Sequence, residues 1–227
     1  NEKNRLERYD GKEHYYHASG SGTCSRKLYF QSVEKIEPTN LPDAKSMRVM
    51  RLGTVLHKDI QNSLILYNNN NINNKIIIEE LNVRGFFDLL QVQKENTNDS
   101  KTIFLYDIKT AADYSFKRVT GTGTGYKMQH HELQLATYGY AVKEEHGRLD
   151  GMYLMYYNKN NSQLSYIEVP LTMLNSAYMF WANISKEHSK GLPPFQEGVS
   201  PVMKWECNYC NFLDHCKGNN NKINKVI

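Results

Sequence analysis

Three of the four cysteines in this 227-residue chain crowd near its end, as Cys207-x2-Cys210-x5-Cys216, while the fourth, Cys24, lies near its start. The C-x2-C spacing lets two thiolates reach one ion or cluster from a tight turn. Three clustered ligands and one remote ligand would staple the two ends of the chain together. On a chain-entropy argument, closing so long a loop stabilises the fold by several kcal/mol. Zinc, an iron–sulfur cluster and two disulfides all meet this cysteine count. Disulfides rank last, because nothing in the sequence points to an oxidising compartment. Spacing does not separate zinc from iron–sulfur, and His215 beside Cys216 keeps a Cys/His zinc site in play. A chain clasped from Cys24 to Cys216 leaves little room for an independent second domain. A single domain over 1–227 is expected, with 18–34 and 200–217 forming the cysteine subregion.

Total charge adds little. Lys and Arg number 28 against 24 Asp and Glu, a net +4, too mild a tilt to identify a nucleic-acid partner. No run approaches the roughly 18 apolar residues of a membrane helix. No charged-then-apolar secretion signal is visible, so no membrane partner and an intracellular location are expected: the cytoplasm, or the host-cell cytoplasm for a viral protein. The Asn-rich 68–74 stretch reads as a surface loop.

Hydrophobic periodicity orders the elements. A helical stretch follows Cys24 to about Glu34. A long amphipathic helix is expected from Asp43 to Tyr67, with Val49, Leu52, Leu56, Ile60 and Tyr67 at helical spacing. Strand-like runs cover Lys75–Val83, Gly85–Val92 and Thr102–Lys109, the last two joined as a hairpin. A long loop is expected over 111–130, then a helix over His131–Glu145. Two further strands cover Gly151–Tyr157 and Gln163–Val169, and a helix runs from about Leu171 to Lys190. This order predicts an α/β domain with a mixed sheet flanked by helices.

Residues two apart in a strand share a face, so Asp107 and Lys109 project together from the third run. A carboxylate that holds a divalent metal and an ammonium that orients water suit phosphodiester hydrolysis. D-x-K also arises by chance as an exposed ion pair, so its neighbours matter. Asp88 interrupts the apolar stretch Phe86-Phe87-Asp88-Leu89-Leu90, where a carboxylate is costly to bury unless paired or metal-bound. His57 adjoins the apolar stripe of the long helix and would complete an oxygen-rich metal site. Gln134 and Tyr138, four apart on a helix, share a face. In 111–130, Tyr114, Phe116, Lys117, Arg118, Tyr126 and Lys127 interleave aromatic and basic residues, a pattern suited to single-stranded nucleic acid. Gly121-Thr-Gly-Thr-Gly125 lacks the following Gly-Lys-Ser/Thr, so it is not a P-loop.

Taken together, these motifs resemble a RecB-like nuclease of the PD-(D/E)xK superfamily, in the branch that carries an iron–sulfur cluster, as in CRISPR-associated and AddB-type exonucleases. The resemblance rests on the order Gly53…His57, Gly85-Phe-Phe-Asp88, Asp107-Ile-Lys109 and Gln134-Leu-Ala-Thr-Tyr138, bracketed by the four cysteines. It implies a restriction-endonuclease-like core. It implies that His57, Asp88, Asp107 and the Ile108 carbonyl hold Mg2+ or Mn2+, and that Lys109 is the catalytic lysine, supported by Gln134 and Tyr138. It implies a [4Fe-4S] cluster on Cys24, Cys207, Cys210 and Cys216. The expected activity is a metal-dependent DNA exonuclease acting on single strands or ends, with possible endonuclease activity. CRISPR adaptation, viral recombination or repair is its expected setting, with protein partners in DNA processing. Asp107 stands where Glu is more frequent, and no helicase motif is present. Two other readings stay open: a catalytically idle, cluster-bearing DNA-binding module that recruits partners, and a zinc-stapled structural domain.

Overall fold

The computed structural model describes residues 15–68, 71–72, 75–94, 101–121 and 128–223. Buried Ile103, Leu105 and Asp107 alternate with the less buried Thr102, Phe104 and Tyr106. This period of two makes Lys101–Ala111 (β6) an 11-residue strand with one face committed to the core. Around it lies a five-stranded sheet in the order Asn71–Ile72 (β2), Leu89–Lys94 (β5), β6, Gly151–Asn158 (β7), Leu164–Val169 (β8). The β5–β6 and β7–β8 pairs are antiparallel and β6–β7 is parallel, so the sheet is mixed, as the sequence predicts. A second, three-stranded sheet places Val83–Phe86 (β4) between Tyr16–His17 (β1) and Lys75–Ile78 (β3).

The helices are Ser25–Ser32 (α1), Ala44–Asn68 (α2), Asp113–Thr120 (α3), Gln129–His146 (α4), Met173–His188 (α5) and Leu213–Ile223 (α6). Leu135, Ala136 and Val142 of α4 and Ala177, Trp181 and Ile184 of α5 share one core with Leu105, Met152 and Leu154 of the sheet. Trp181 is fully buried, and its indole N–H donates to Thr137 Oγ1 at 3.0 Å, so its one polar atom is satisfied. No helix among the described residues is long and apolar enough to cross a membrane.

Several sequence expectations need correction. The runs Lys75–Val83 and Gly85–Val92 regroup into β3, a 3-10 turn at Glu79–Leu81, β4 and β5. Asn82, left-handed at φ 51°, ends the 3-10 turn, and the bend at Asp88 carries the chain from one sheet to the other. The Asn-rich segment includes strand β2, which pairs with Leu89 and Leu90. The helix near Cys24 spans only Ser25–Ser32, after a 3-10 turn at Ala18–Gly20. The first turns of α2 are exposed, Val49 and Leu52 included; its stripe meets the domain only from about Gly53 onward.

The stretch read as a loop over 111–130 contains α3. There an Asp113–Lys117 pair at 2.8 Å supports the helix, and Phe116 belongs to the core rather than to a stacking surface. Tyr114 is exposed. Tyr126, Lys127 and most of the glycine-rich run lie outside the described residues.

Candidate active site

Backbone geometry brings four elements to one end of β6. Helix α2 crosses there at Gly53, where an added Cβ would lie 3.2 Å from Thr110 Oγ1. That close approach sets His57, one turn further on, against the sheet. Gly85 plays the same part for α4: a Cβ there would lie 2.8 Å from a Tyr138 ring carbon and 2.9 Å from the Ala18 Cβ. In both places the missing side chain is what allows a functional element to approach.

Asp88 sits in the bend between the two sheets and is buried. Its Oδ2 accepts the Ile108 N–H at 2.7 Å and pairs with His57 Nε2 at 2.9 Å. The Asp88 hydrogen bond pushes the His57 pKa up, and burial opposes it. In a strand the N–H and C=O of one residue point to the same edge, so the Ile108 carbonyl also faces the Asp88 side.

Asp107 is 2% exposed. Burial pushes its carboxyl up to about 6, with the Lys109 ammonium pulling down and the Asp88 carboxylate adding to the rise. Its Oδ2 lies 2.6 Å from Lys109 Nζ but makes no well-directed hydrogen bond. Lys109 Nζ also donates to Gln134 Oε1 at 2.8 Å, and Gln134 Nε2 donates to Tyr138 OH at 3.0 Å. The i,i+4 spacing of Gln134 and Tyr138 thus becomes a relay that orients one lysine.

The structure therefore brings His57, Asp88, Asp107, Ile108, Lys109, Gln134 and Tyr138 together. It also adds residues that the sequence did not single out. Gln61, one turn beyond His57 on the same face of α2, donates to the Asp88 carbonyl at 3.0 Å. The His57-x3-Gln61 spacing was its available signal. Tyr156 stands beside Lys109 in the β6–β7 register and bonds His131 Nδ1 at 2.7 Å. Burial, with the Asp107 charge behind it, pushes the Tyr156 hydroxyl up, and burial drives the His131 pKa down to about 2. No local pattern distinguished Tyr156 from the core residues of its strand.

Two buried carboxylates, an imidazole and a strand-edge carbonyl form a hard, oxygen-rich donor set. Asp107 Oδ2, buried and poorly bonded, and the mutual repulsion of the acids both fit a divalent cation. Among the described residues, no three His, Cys, Asp or Glu side chains are already drawn up to hold one ion. His57 and Lys109 currently engage the acids.

Cys24, Cys207, Cys210 and Cys216 line one small cavity of about 20 Å³, with Arg26, Glu206, Ser200 and Pro201. All four are free thiols. Burial pushes Cys24 up to about 11 and raises Cys207 and Cys210 as well. Arg26 and Ser200 are among its lining residues, and Arg26 Nη2 and Ser200 Oγ are buried without a hydrogen-bond partner. Four cysteines on one cavity have the donor chemistry of a metal–thiolate centre, although their sulfurs are not already drawn up around one ion.

Residues 64–217 match the PD-(D/E)XK nuclease superfamily. The chain belongs to that superfamily. The protein SSO0001 has a similar structure, with a TM-score of 0.55 at 18% identity, covering 92% of this chain and 88% of its own. An alkaline exonuclease, LHK-Exo from Laribacter hongkongensis, is similar with a TM-score of 0.50 at 14% identity, over 78% of this chain and 89% of its own. Its complex with dAMP superposes with a TM-score of 0.51. At such identities the likeness is one of fold, and it agrees with a restriction-endonuclease-like PD-(D/E)XK core. No curated protein matches the chain in sequence.

Proposed function

We propose that this superfamily member is a metal-dependent deoxyribonuclease that degrades single-stranded DNA or DNA ends, with a structural [4Fe-4S] cluster on its four cysteines. The observation that carries the nuclease reading is the lysine relay beside two buried acids. Lys109 reaches 2.6 Å from Asp107 and 2.8 Å from Gln134. An ammonium has three donors, so one N–H remains for a water or a phosphate oxygen. Gln134, held in turn by Tyr138, keeps that N–H aimed; His57 and Gln61 hold Asp88 from the opposite side.

Bound between His57, Asp88, Asp107 and the Ile108 carbonyl, Mg2+ or Mn2+ would polarise the phosphate and lower the pKa of a bound water. The imidazole donor suits Mn2+ in particular. Lys109 positions the attacking water in line with the scissile bond and offsets charge that develops in the transition state. His57 is the residue that must exchange its pairing with Asp88 when an ion is bound. The name of LHK-Exo as an alkaline exonuclease favours end-directed cleavage. DNA-end processing in CRISPR adaptation, viral recombination or repair is the setting we infer, with protein partners supplied by that process.

The test is direct. End-labelled single- and double-stranded DNA is incubated with Mg2+ or Mn2+ and either the wild type or Asp107→Ala. A ladder shortening from one end, present in the wild type and absent in the variant, supports the reading. No cleavage by a folded, ion-supplied wild type overturns it and leaves the idle binding module.

A further inference from the structure

Arg26 follows Cys24 by two residues and points inward from the first turn of α1, 1% exposed. Its Nε–H donates to Cys216 Sγ at 3.2 Å, Nη1 donates to the Pro193 carbonyl, and the guanidinium lies 5.7 Å from the Phe30 ring centroid. Nη2 has no hydrogen-bond partner, and no carboxylate among the described residues forms an ion pair with Arg26. Glu206 lines the same cavity, but its Oε2 accepts the Val202 and Met203 N–H groups at 2.9 and 3.2 Å. Ser200, fully buried on the cavity wall, also has an unpartnered hydroxyl.

A guanidinium does not give up its proton at ordinary pH. Buried without an ion-paired carboxylate, and with Glu206 turned to the Val202 and Met203 N–H groups, it is penalised. Four protonated thiols are neutral and supply no such charge. Four thiolates around a divalent core are a net anion whose sulfur atoms accept hydrogen bonds. The cation, the unused donors and the four sulfurs share one cavity, so each answers the deficit of the other.

We propose that Arg26 is the counter-ion of a metal–thiolate centre on Cys24, Cys207, Cys210 and Cys216, donating Nε–H to the Cys216 sulfur, with Nη2 and the Ser200 hydroxyl directed at its remaining sulfur atoms. This rests on the reading that the four cysteines hold one centre; it is independent of whether the chain cleaves DNA. Arg26 is a positioning residue, acting through the centre. Its effect on stability changes sign with loading: it stabilises the loaded protein and burdens the stripped one. Donors to sulfur also raise the reduction potential of an iron–sulfur centre.

Wild type, Arg26→Met, Arg26→Lys and Ser200→Ala are each prepared loaded and then stripped with chelator and reductant. Iron, zinc and sulfide content, the rate of metal loss to chelator, and thermal unfolding in both states are measured. Arg26→Met is expected to lose metal about 10–100-fold more readily, the usual effect of removing an outer partner, with a lower midpoint when loaded and an unchanged or higher midpoint when stripped. Arg26→Lys keeps the charge but not the fork, so it loses metal at a rate between wild type and Arg26→Met; this variant decides the matter if Arg26→Met does not fold. Ser200→Ala loses metal faster than wild type by a smaller factor.

Equal destabilisation of both states by Arg26→Met, or chelator kinetics like wild type in both Arg26 variants, overturns the proposal and leaves Arg26 a structural anchor for Pro193 and Phe30. A wild type that holds neither iron nor zinc overturns both this inference and the thiolate-centre reading. The DNA ladder assay, which turns on Asp107 and Lys109, reports on the nuclease reading separately.

Discussion

The two polar regions of this protein are built in opposite ways. At the end of β6 nearly every polar atom is engaged: Asp88 by His57 and the Ile108 N–H, Lys109 by Asp107 and Gln134, Gln134 by Tyr138. Around the cysteines, Arg26 Nη2 and Ser200 Oγ are buried with nothing to bond. The first region is held in shape by the sheet and these bonds, and what it leaves over is an acceptor, the buried Asp107 Oδ2. The second leaves over a positive charge and two donors, which on the proposal above answer to a bound anionic centre. A site that serves chemistry benefits from fixed geometry before substrate arrives; a clasp that serves folding can take its geometry from the group it binds.

The sharpest way to break this contrast is at Lys109. Lys109→Ala is expected to lower DNA cleavage by about 10²–10³-fold, as when a preorganised transition-state donor is lost. The melting temperature should change little, because Asp107 takes up a proton more readily once the ammonium is gone. Wild-type turnover in this variant, in an end-labelled assay, would remove the lysine from the chemistry.

A cysteine change should do the reverse. Cys216→Ser is expected to lower stability by about 2–5 kcal/mol, the range for losing a staple across a long loop. The loss should appear in denaturant unfolding of protein as purified and vanish when wild type and variant are compared after stripping. If it persists in the stripped pair, the thiol matters only as packing.

A third prediction uses pH. His131 is held neutral by burial, its pKa down at about 2 from an ordinary 6.5. The unfolded chain therefore binds one more proton than the folded chain below the unfolded value. The stabilisation from this group is complete above about pH 6.5 and is lost as pH falls, at a slope approaching about 1.4 kcal/mol per pH unit. His131→Gln keeps a partner for Tyr156 and should flatten that part of the curve between pH 7 and 5. Since His57 shifts in the opposite direction, the difference between variant and wild type is the quantity to read. Parallel curves would refute the assignment.

The smallest effects lie along the relay. Gln134→Ala, which removes a hydrogen bond to a charged group worth about 1.5–3 kcal/mol, should slow cleavage at least tenfold. Tyr138→Phe removes a neutral hydrogen bond of about 1 kcal/mol and should slow it about fivefold. If Tyr138→Phe proves the more damaging, the hydroxyl acts on substrate rather than through Gln134.

What could be read from sequence divides along physical lines. Asp107 and Lys109 were legible because strand alternation puts residues two apart on one face. Gln134 and Tyr138 were legible because a helix repeats every three to four residues. Asp88 betrayed itself as a carboxylate in an apolar run, and the spacing of the cysteines marked them as a group, which the fold brings to one cavity. The misread stretch over 111–130 shows the limit. Phe116 looked like part of a stacking surface, yet the stretch forms a short helix that buries Phe116 in the core while Tyr114, Lys117 and Arg118 stay exposed. Local pattern does not say which side of an amphipathic segment meets the domain.

The mixed sheet, the main helices and the pairing of Asp107 with Lys109 and of Gln134 with Tyr138 on shared faces were contained in the chain's periodicities and spacings, which are short-range quantities. Other features required distant segments to meet in space. Gln61 holds Asp88 across 27 positions, Tyr156 stands beside Lys109 through parallel strand pairing, and Arg26 touches Cys216 across 190 positions. Burial and contact between such segments are set by packing, and no pattern within a few residues encodes them. Whether Arg26 is a surface cation or a buried charge that requires an anion depends on that packing alone.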